Sequence, residues 1–185
     1  MELVVYAITA VLLLVAGYVV FRFFVHRDYR DRGRLSPFSS FLQLLLFFLH
    51  GTSAYVYMDV TFRRIRTDSP LFIPAMVCIV VGLVLMLIAM SRLGAGQVFG
   101  VKVTGLRQSG LYRYTRNPQI VFGLPIYIGF AMLWPAWTGL VWLGLLWVLL
   151  HMMVLTEEEH LRRAFGEEYD RYRAKTPRYL GFRKR

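Results

Sequence analysis

Polar residues divide the chain into five apolar stretches, at Leu3–Val25, Pro37–Phe62, Pro70–Met90, Gln119–Trp134 and Trp137–Leu155. A helix rises about 1.5 Å per residue, so about 20 residues cross the hydrocarbon core of a bilayer. The first three stretches reach that length. The last two are shorter and are parted only by Pro135 and Ala136, which predicts a tight helical hairpin. Lipid offers backbone polar groups no partner, so spans that are not closed barrels must be helices. The pattern therefore predicts an all-α integral membrane protein of about five transmembrane helices, the fourth and fifth forming the hairpin.

Beyond Thr156 the pattern turns amphipathic. Glu157, Leu161, Ala164 and Phe165 keep helical spacing as an extension of the fifth span, and Gly166 can stop it. A second short helix is expected over Glu167–Ala174, with Tyr169 and Tyr172 on one side, ended by Thr176-Pro177-Arg178. The chain reads as one membrane-embedded domain over 1–185. Three spans occupy 1–90, and a long loop, the hairpin and an amphipathic helical tail occupy 91–185.

Composition and charge refine this picture. Of 185 residues, 57% are hydrophobic and 18% are charged, below the roughly 25% typical of soluble domains. The net charge of +11 would suggest nucleic acid in a soluble protein. Here the Lys and Arg residues cluster at the ends of apolar runs, where they set topology and attract anionic headgroups, so the expected partner is the bilayer and not nucleic acid. Five spans put 19 of the basic residues on one side and only Arg63, Arg64 and Arg66 on the other. The positive-inside rule then predicts an external amino terminus and a cytoplasmic carboxyl terminus. The first run is too long for a signal-peptide core and has only Glu2 before it, so it reads as a retained span. Cys78 is the single cysteine, which excludes an intramolecular disulfide. His26, His50 and His160 show no metal-type spacing, and no metal is expected. Nothing in the sequence sets an oligomeric state.

Three segments hold candidate chemistry. The connection from Ser91 to Pro118 is long and Gly-rich, yet it carries Val98, Phe99, Val101 and Val103, so it should fold over the membrane surface. Its Gly94-Ala95-Gly96 has no strand-turn-helix context and does not support a Rossmann site. In Arg116-Asn117-Pro118, Pro118 can open the fourth helix and Asn117 can cap it; the same helix start is also ready to receive a carboxylate. Glu157, Glu158 and Glu159 stand at the exit of the fifth span. They read either as a solvated boundary or as a place where one carboxylate takes a ribose or a cation, and spacing leaves both open.

Two motifs taken together resemble a known family. Ser109-Gly110-Leu111-Tyr112-Arg113-Tyr114-Thr115-Arg116-Asn117-Pro118 is followed 39 residues later by Glu157-Glu158, then Phe165-Gly166-Glu167-Glu168-Tyr169-Asp170-Arg171-Tyr172 and Pro177-Arg178. This is similar to the isoprenylcysteine carboxyl methyltransferases and phospholipid methyltransferases, over roughly residues 90–180. The resemblance implies methyl transfer from S-adenosylmethionine to a lipid-borne or apolar acceptor. By position it implies a cofactor lined by Gln97, Thr104, Gly105, Leu106, Arg107 and Tyr112, then by Asn117, Pro118, Gln119 and Ile120, with Glu157 facing them. It also implies that Arg116 and Asn117 are the catalytic pair and that Met153 faces the acceptor.

The chain departs from the family's pattern at three places. Asn117 stands where a His is frequent, Ile120 where a Tyr is, and Met153 where prenylcysteine members carry an Arg for the substrate carboxylate. A thioether cannot pair with a carboxylate, so a prenylcysteine carboxyl substrate fits poorly. Prenylcysteine, phospholipid-type amines, thiols and quinone-like phenols all remain open as acceptor classes. The departures also keep open a catalytically silent scaffold or assembly factor. A small relative of the NADPH-dependent sterol reductases is the remaining alternative, although that fold needs more helices than this length supplies. His151, two residues from Met153, points elsewhere along a helix and reads as structural.

Overall fold

The computed structural model describes residues 2–58, 65–93, 105–106 and 108–181, and these contain helices and no strand. Six helices matter here: α1 (Glu2–Arg32), α2 (Pro37–Tyr57), α3 (Phe72–Leu93), α4 (Pro118–Leu133), α5 (Trp137–Phe165) and α6 (Glu167–Lys175). Four are long and apolar enough to cross a membrane. The fifth, α4, has 16 residues and spans roughly 24 Å at the usual helical rise. About five spans is therefore the architecture. The end of the second predicted stretch at Phe62, and most of the long connection with Gln97, Thr104 and Arg107, lie outside the described residues.

The first span departs from expectation at its end. Arg27, Arg30 and Arg32 were expected in a connection, but the helix runs through them to Arg32. Val25 and Tyr29 give this polar extension a buried side, while Arg30 and Arg32 stay exposed. A π-helical segment at Val20–Val25 widens the turn just before it and buries Phe21 and Val25. Gly33 ends the helix at φ 64, a conformation that costs glycine nothing. The connection shrinks to four residues, closed by Asp28, whose carboxylate accepts the Ser36 backbone N–H at 2.9 Å. Ser36 then caps α2 by accepting from the Ser39 N–H, with Pro37 in the first turn.

Interhelical hydrogen bonds set the up-and-down order. His50 and Trp142 pair reciprocally: His50 Nε2 meets the Trp142 carbonyl at 3.0 Å, and Trp142 Nε1 donates to the His50 carbonyl at 3.0 Å. Their rings stack at 4.7 Å, which locks α2 to α5. Tyr57 at the end of α2 donates to the Tyr6 carbonyl at 2.7 Å, and Thr138 at the start of α5 donates to the Tyr57 carbonyl. At the opposite end, Arg22 of α1 meets Glu159 of α5 at 2.9 Å. The end of α1, the start of α2, the start of α4 and the end of α5 therefore share one end of the bundle.

The α3–α4 pair is the closest packing in the fold, and small residues make it so. A Cβ at Gly129 would stand 2.5 Å from the Ala75 carbonyl oxygen, and one at Gly82 would stand 3.1 Å from the Phe122 carbonyl. In lipid, apolar side chains gain nothing by leaving solvent, so close backbone approach is what brings helices together. The outer faces of α1 and α3 expose Val4, Ile8, Val11, Ile73, Val77 and Val84, as a lipid-facing surface requires.

Gly129→Leu is expected to lower unfolding stability in detergent by about 1–3 kcal/mol, the usual cost of overpacking. Gly144→Ala, where nothing lies within 4 Å, should change it by less than about 1 kcal/mol. Equal effects in a denaturant titration of the two variants would show that the α3–α4 contact is not limiting.

Candidate active site

Successive helical residues point about 100° apart, so three consecutive glutamates at the end of α5 meet three different surroundings. Glu159 faces outward, paired with Arg22 at 2.9 Å and His26 at 3.4 Å. Glu158 is buried and takes two guanidinium groups. Arg116 Nη1 reaches its Oε1 at 2.8 Å, and Arg178 donates through Nε at 3.0 Å and Nη2 at 2.8 Å. Glu157 turns into a cavity and has no hydrogen-bond or ion-pair partner among the described residues.

The Glu158 cluster ties four segments together. Arg116 Nη1 also donates to the Tyr169 hydroxyl at 3.0 Å, and the Arg116 N–H donates to the Pro177 carbonyl at 2.9 Å. The Arg178 carbonyl accepts from Thr115 Oγ1 and from Asn117 Nδ2, both at 3.1 Å. Tyr172 donates to the Tyr112 carbonyl at 2.7 Å. A residue further on, Tyr179 meets His151 Nδ1 at 3.0 Å, which gives that histidine its structural partner. Burial first, and the Glu158 charge second, push the Tyr169 hydroxyl up to about 12, so it stays protonated. The hydrogen bond to Glu158 raises Arg178 above its ordinary value.

Asn117 therefore does not cap α4 through its side chain as expected. It sits at the cap position, but its amide serves the strap at Arg178 and its backbone N–H goes to Thr115 Oγ1 at 3.2 Å. The strap supplies a carbonyl at the right distance, and the amide takes it in preference to the helix end.

The cavity measures about 570 Å³, within the range of small-molecule sites. Its walls follow helical periodicity. Ile120, Gly123, Leu124 and Tyr127 line it from α4, and Leu150, Met153, Glu157 and Leu161 from α5. Polar groups gather at the end beside α6, where Tyr112, Arg116, Asn117 and Gln119 stand. Apolar ones extend toward Phe47 and Tyr127 between the helices. Of the expected cofactor residues, Gly105, Leu106, Tyr112, Asn117, Gln119, Ile120 and Glu157 line the cavity, as do Arg116 and Met153. Pro118 is buried in the first turn of α4 and does not line it. Gln97, Thr104 and Arg107 lie outside the described residues.

A model of the phospholipid methyltransferase family matches residues 71–168. The chain belongs to the phospholipid methyltransferase family. Comparison with curated proteins and with solved structures yields no match. The family is one of membrane methyltransferases, and its match covers α3, the long connection, α4, α5 and the beginning of α6. It leaves out α1, α2 and the Thr176–Tyr179 strap, which supply Tyr29, Gln43 and Arg178 to this site.

Sequence reasoning missed Glu158 and Tyr169 as the partners of Arg116, and Arg178 as the second cation on Glu158. Tyr169 and Tyr172 were visible as a helical face, and Thr176-Pro177-Arg178 as a break. Their convergence on Glu158 needs the turn at Gly166, φ 51, which folds α6 back on α5.

Glu158→Gln leaves two guanidinium groups without their counter-charge, and Arg116 among them is buried. The expected loss of unfolding stability is about 3–5 kcal/mol. Glu159→Gln, at an exposed pair, should cost less than about 1 kcal/mol. Equal costs by thermal unfolding in detergent would show that the Glu158 cluster does not hold the site together.

Proposed function

We propose that the chain transfers a methyl group from S-adenosylmethionine to an amphiphilic acceptor whose apolar part lies between the helices. The observation that carries this reading is the Glu157 carboxylate, without a hydrogen-bond or ion-pair partner among the described residues, in a cavity that is polar at one end and apolar at the other. Leaving a carboxylate uncompensated in such a place is costly. A ligand bearing ammonium, sulfonium or ribose hydroxyl groups removes that cost, and S-adenosylmethionine bears all three.

The other residues fit the same group. Arg116 lines the cavity with its guanidinium nine-tenths buried and held by Glu158, which keeps a fixed positive charge at the polar end. The start of α4 adds the favourable end of a helix dipole. Tyr112, with its hydroxyl 3.3 Å from Gln119 Oε1, offers an aromatic face. When bound, the cofactor supplies a methyl carbon already activated for direct displacement. What this chain contributes is alignment and exclusion of water, by Ile120 and Met153, and alignment alone can account for several kcal/mol of barrier lowering. Asn117, held by the strap, orients but does not take a proton. The basic-residue count supports a cytoplasmic position for this end of the bundle.

In detergent, S-adenosylhomocysteine at about 100 times its Kd should stabilise the protein by about 2.7 kcal/mol, while NADPH should not. Glu157→Gln is expected to weaken that binding about tenfold or more. Absence of any shift would favour a silent scaffold, and a shift with NADPH alone would favour a reductase. A reporter fused after Arg185 should read cytoplasmic; an external reading would overturn the orientation.

A further inference from the structure

Helix α2 lies outside the family match, yet it forms one wall of the cavity through Gln43, Leu44 and Phe47. Gln43 is the one amide in this span. Elsewhere in α2, His50 Nε2 meets the Trp142 carbonyl, Ser53 donates to the His50 carbonyl and Thr52 to the Leu49 carbonyl, while Ser40 Oγ and His50 Nδ1 are buried without a partner among the described residues and neither residue lines the cavity. The Gln43 amide meets no partner among the described residues, in a segment where an unmet amide is expensive.

Packing of α1 gives its depth. A Cβ on Gly17 would touch Leu149 and Met152 of α5 and Leu46 of α2, so these stand at one level. Gln43 is three residues nearer the start of α2, about 4.5 Å toward the Glu157 end. Because α2 and α5 run antiparallel, that is the level of Met153. At this level α5 presents the Met153 thioether, and the opposite wall presents an amide. No Arg or Lys without a carboxylate partner lines the cavity among the described residues: Arg116 is held by Glu158. Leu44, beside Gln43, both lines the cavity and is 59% exposed on the lipid side, so the cavity opens to the bilayer there.

We infer that Gln43 selects the acceptor, by hydrogen-bonding a neutral polar head on an amphiphile whose tail leaves past Leu44. The inference rests on the methyltransferase reading above. A neutral head is favoured because an amide can donate and accept but cannot balance a charge. An anionic head would find no cation free of a carboxylate partner among the described lining residues.

The test uses the full chain in detergent, saturated with S-adenosylhomocysteine, and three probes sharing a hexadecyl tail: hexadecanol, hexadecylamine and hexadecanoate. Thermal midpoints give the apparent affinity of each. Hexadecanol should bind the wild type best. Gln43→Met, of similar volume, should weaken it about tenfold, and Gln43→Glu should turn the preference toward hexadecylamine. Unaltered hexadecanol binding in Q43M, or strongest binding of hexadecanoate to the wild type, overturns the assignment of Gln43. Absence of the S-adenosylhomocysteine shift in the wild type overturns the methyltransferase reading itself, so the two failures are distinguishable.

Discussion

Glu158 holds two guanidinium groups in a place where water is largely absent, and most of the site follows from that arrangement. Arg116 belongs to the connection before α4, Arg178 to the strap after α6, and Glu158 to the exit of α5. A buried carboxylate between two cations supplies a reason for them to meet, and further hydrogen bonds surround it: Arg116 donates to Tyr169, and Thr115 and Asn117 donate to the Arg178 carbonyl. Buried ion pairs are poor sources of net stability but strong sources of register, because each alternative pairing leaves a charge uncompensated.

That register decides the fate of the neighbouring carboxylates. With Glu158 turned toward Arg116 and Arg178, helix geometry leaves Glu157 no direction but the cavity and Glu159 none but the outside, toward Arg22 and His26. One residue is neutralised, one is solvated, and one has no partner among the described residues. The same helix carries Met153 and Leu150 a turn or two deeper, so an available carboxylate and an apolar channel lie on one stripe of α5.

The membrane supplies the second constraint. The helices of the bundle alternate in direction, which brings the end of α1, the start of α2, the end of α3, the start of α4 and the end of α5 to one end. Close backbone packing at Gly82 and Gly129 keeps α3 and α4 together. Ring stacking and reciprocal hydrogen bonds between His50 and Trp142 keep α2 against α5. Between these two units lies the cavity, bounded on one side by α2 and on the other by α4.

Much of this was legible in the sequence, because lipid constrains the chain locally. Apolar length sets the spans, the absence of backbone partners in hydrocarbon makes them helices, and an odd number of them puts the long connection and the tail at one end. Gly166 and the Tyr169–Tyr172 spacing marked the turn into α6 and its buried face for the same local reason. What the sequence left open was which glutamate does what, and the structure corrected two expectations: α1 runs past Val25 to Arg32, and Asn117 serves the strap instead of capping a helix. Those outcomes depend on the rotation and relative depth of helices that are distant in sequence. The Tyr29 ring, the Gln43 amide and the Arg178 guanidinium entered the site only when α1, α2 and the strap were brought beside α4 and α5. Spacing along one helix says which residues share a face; only the packed structure says what that face meets.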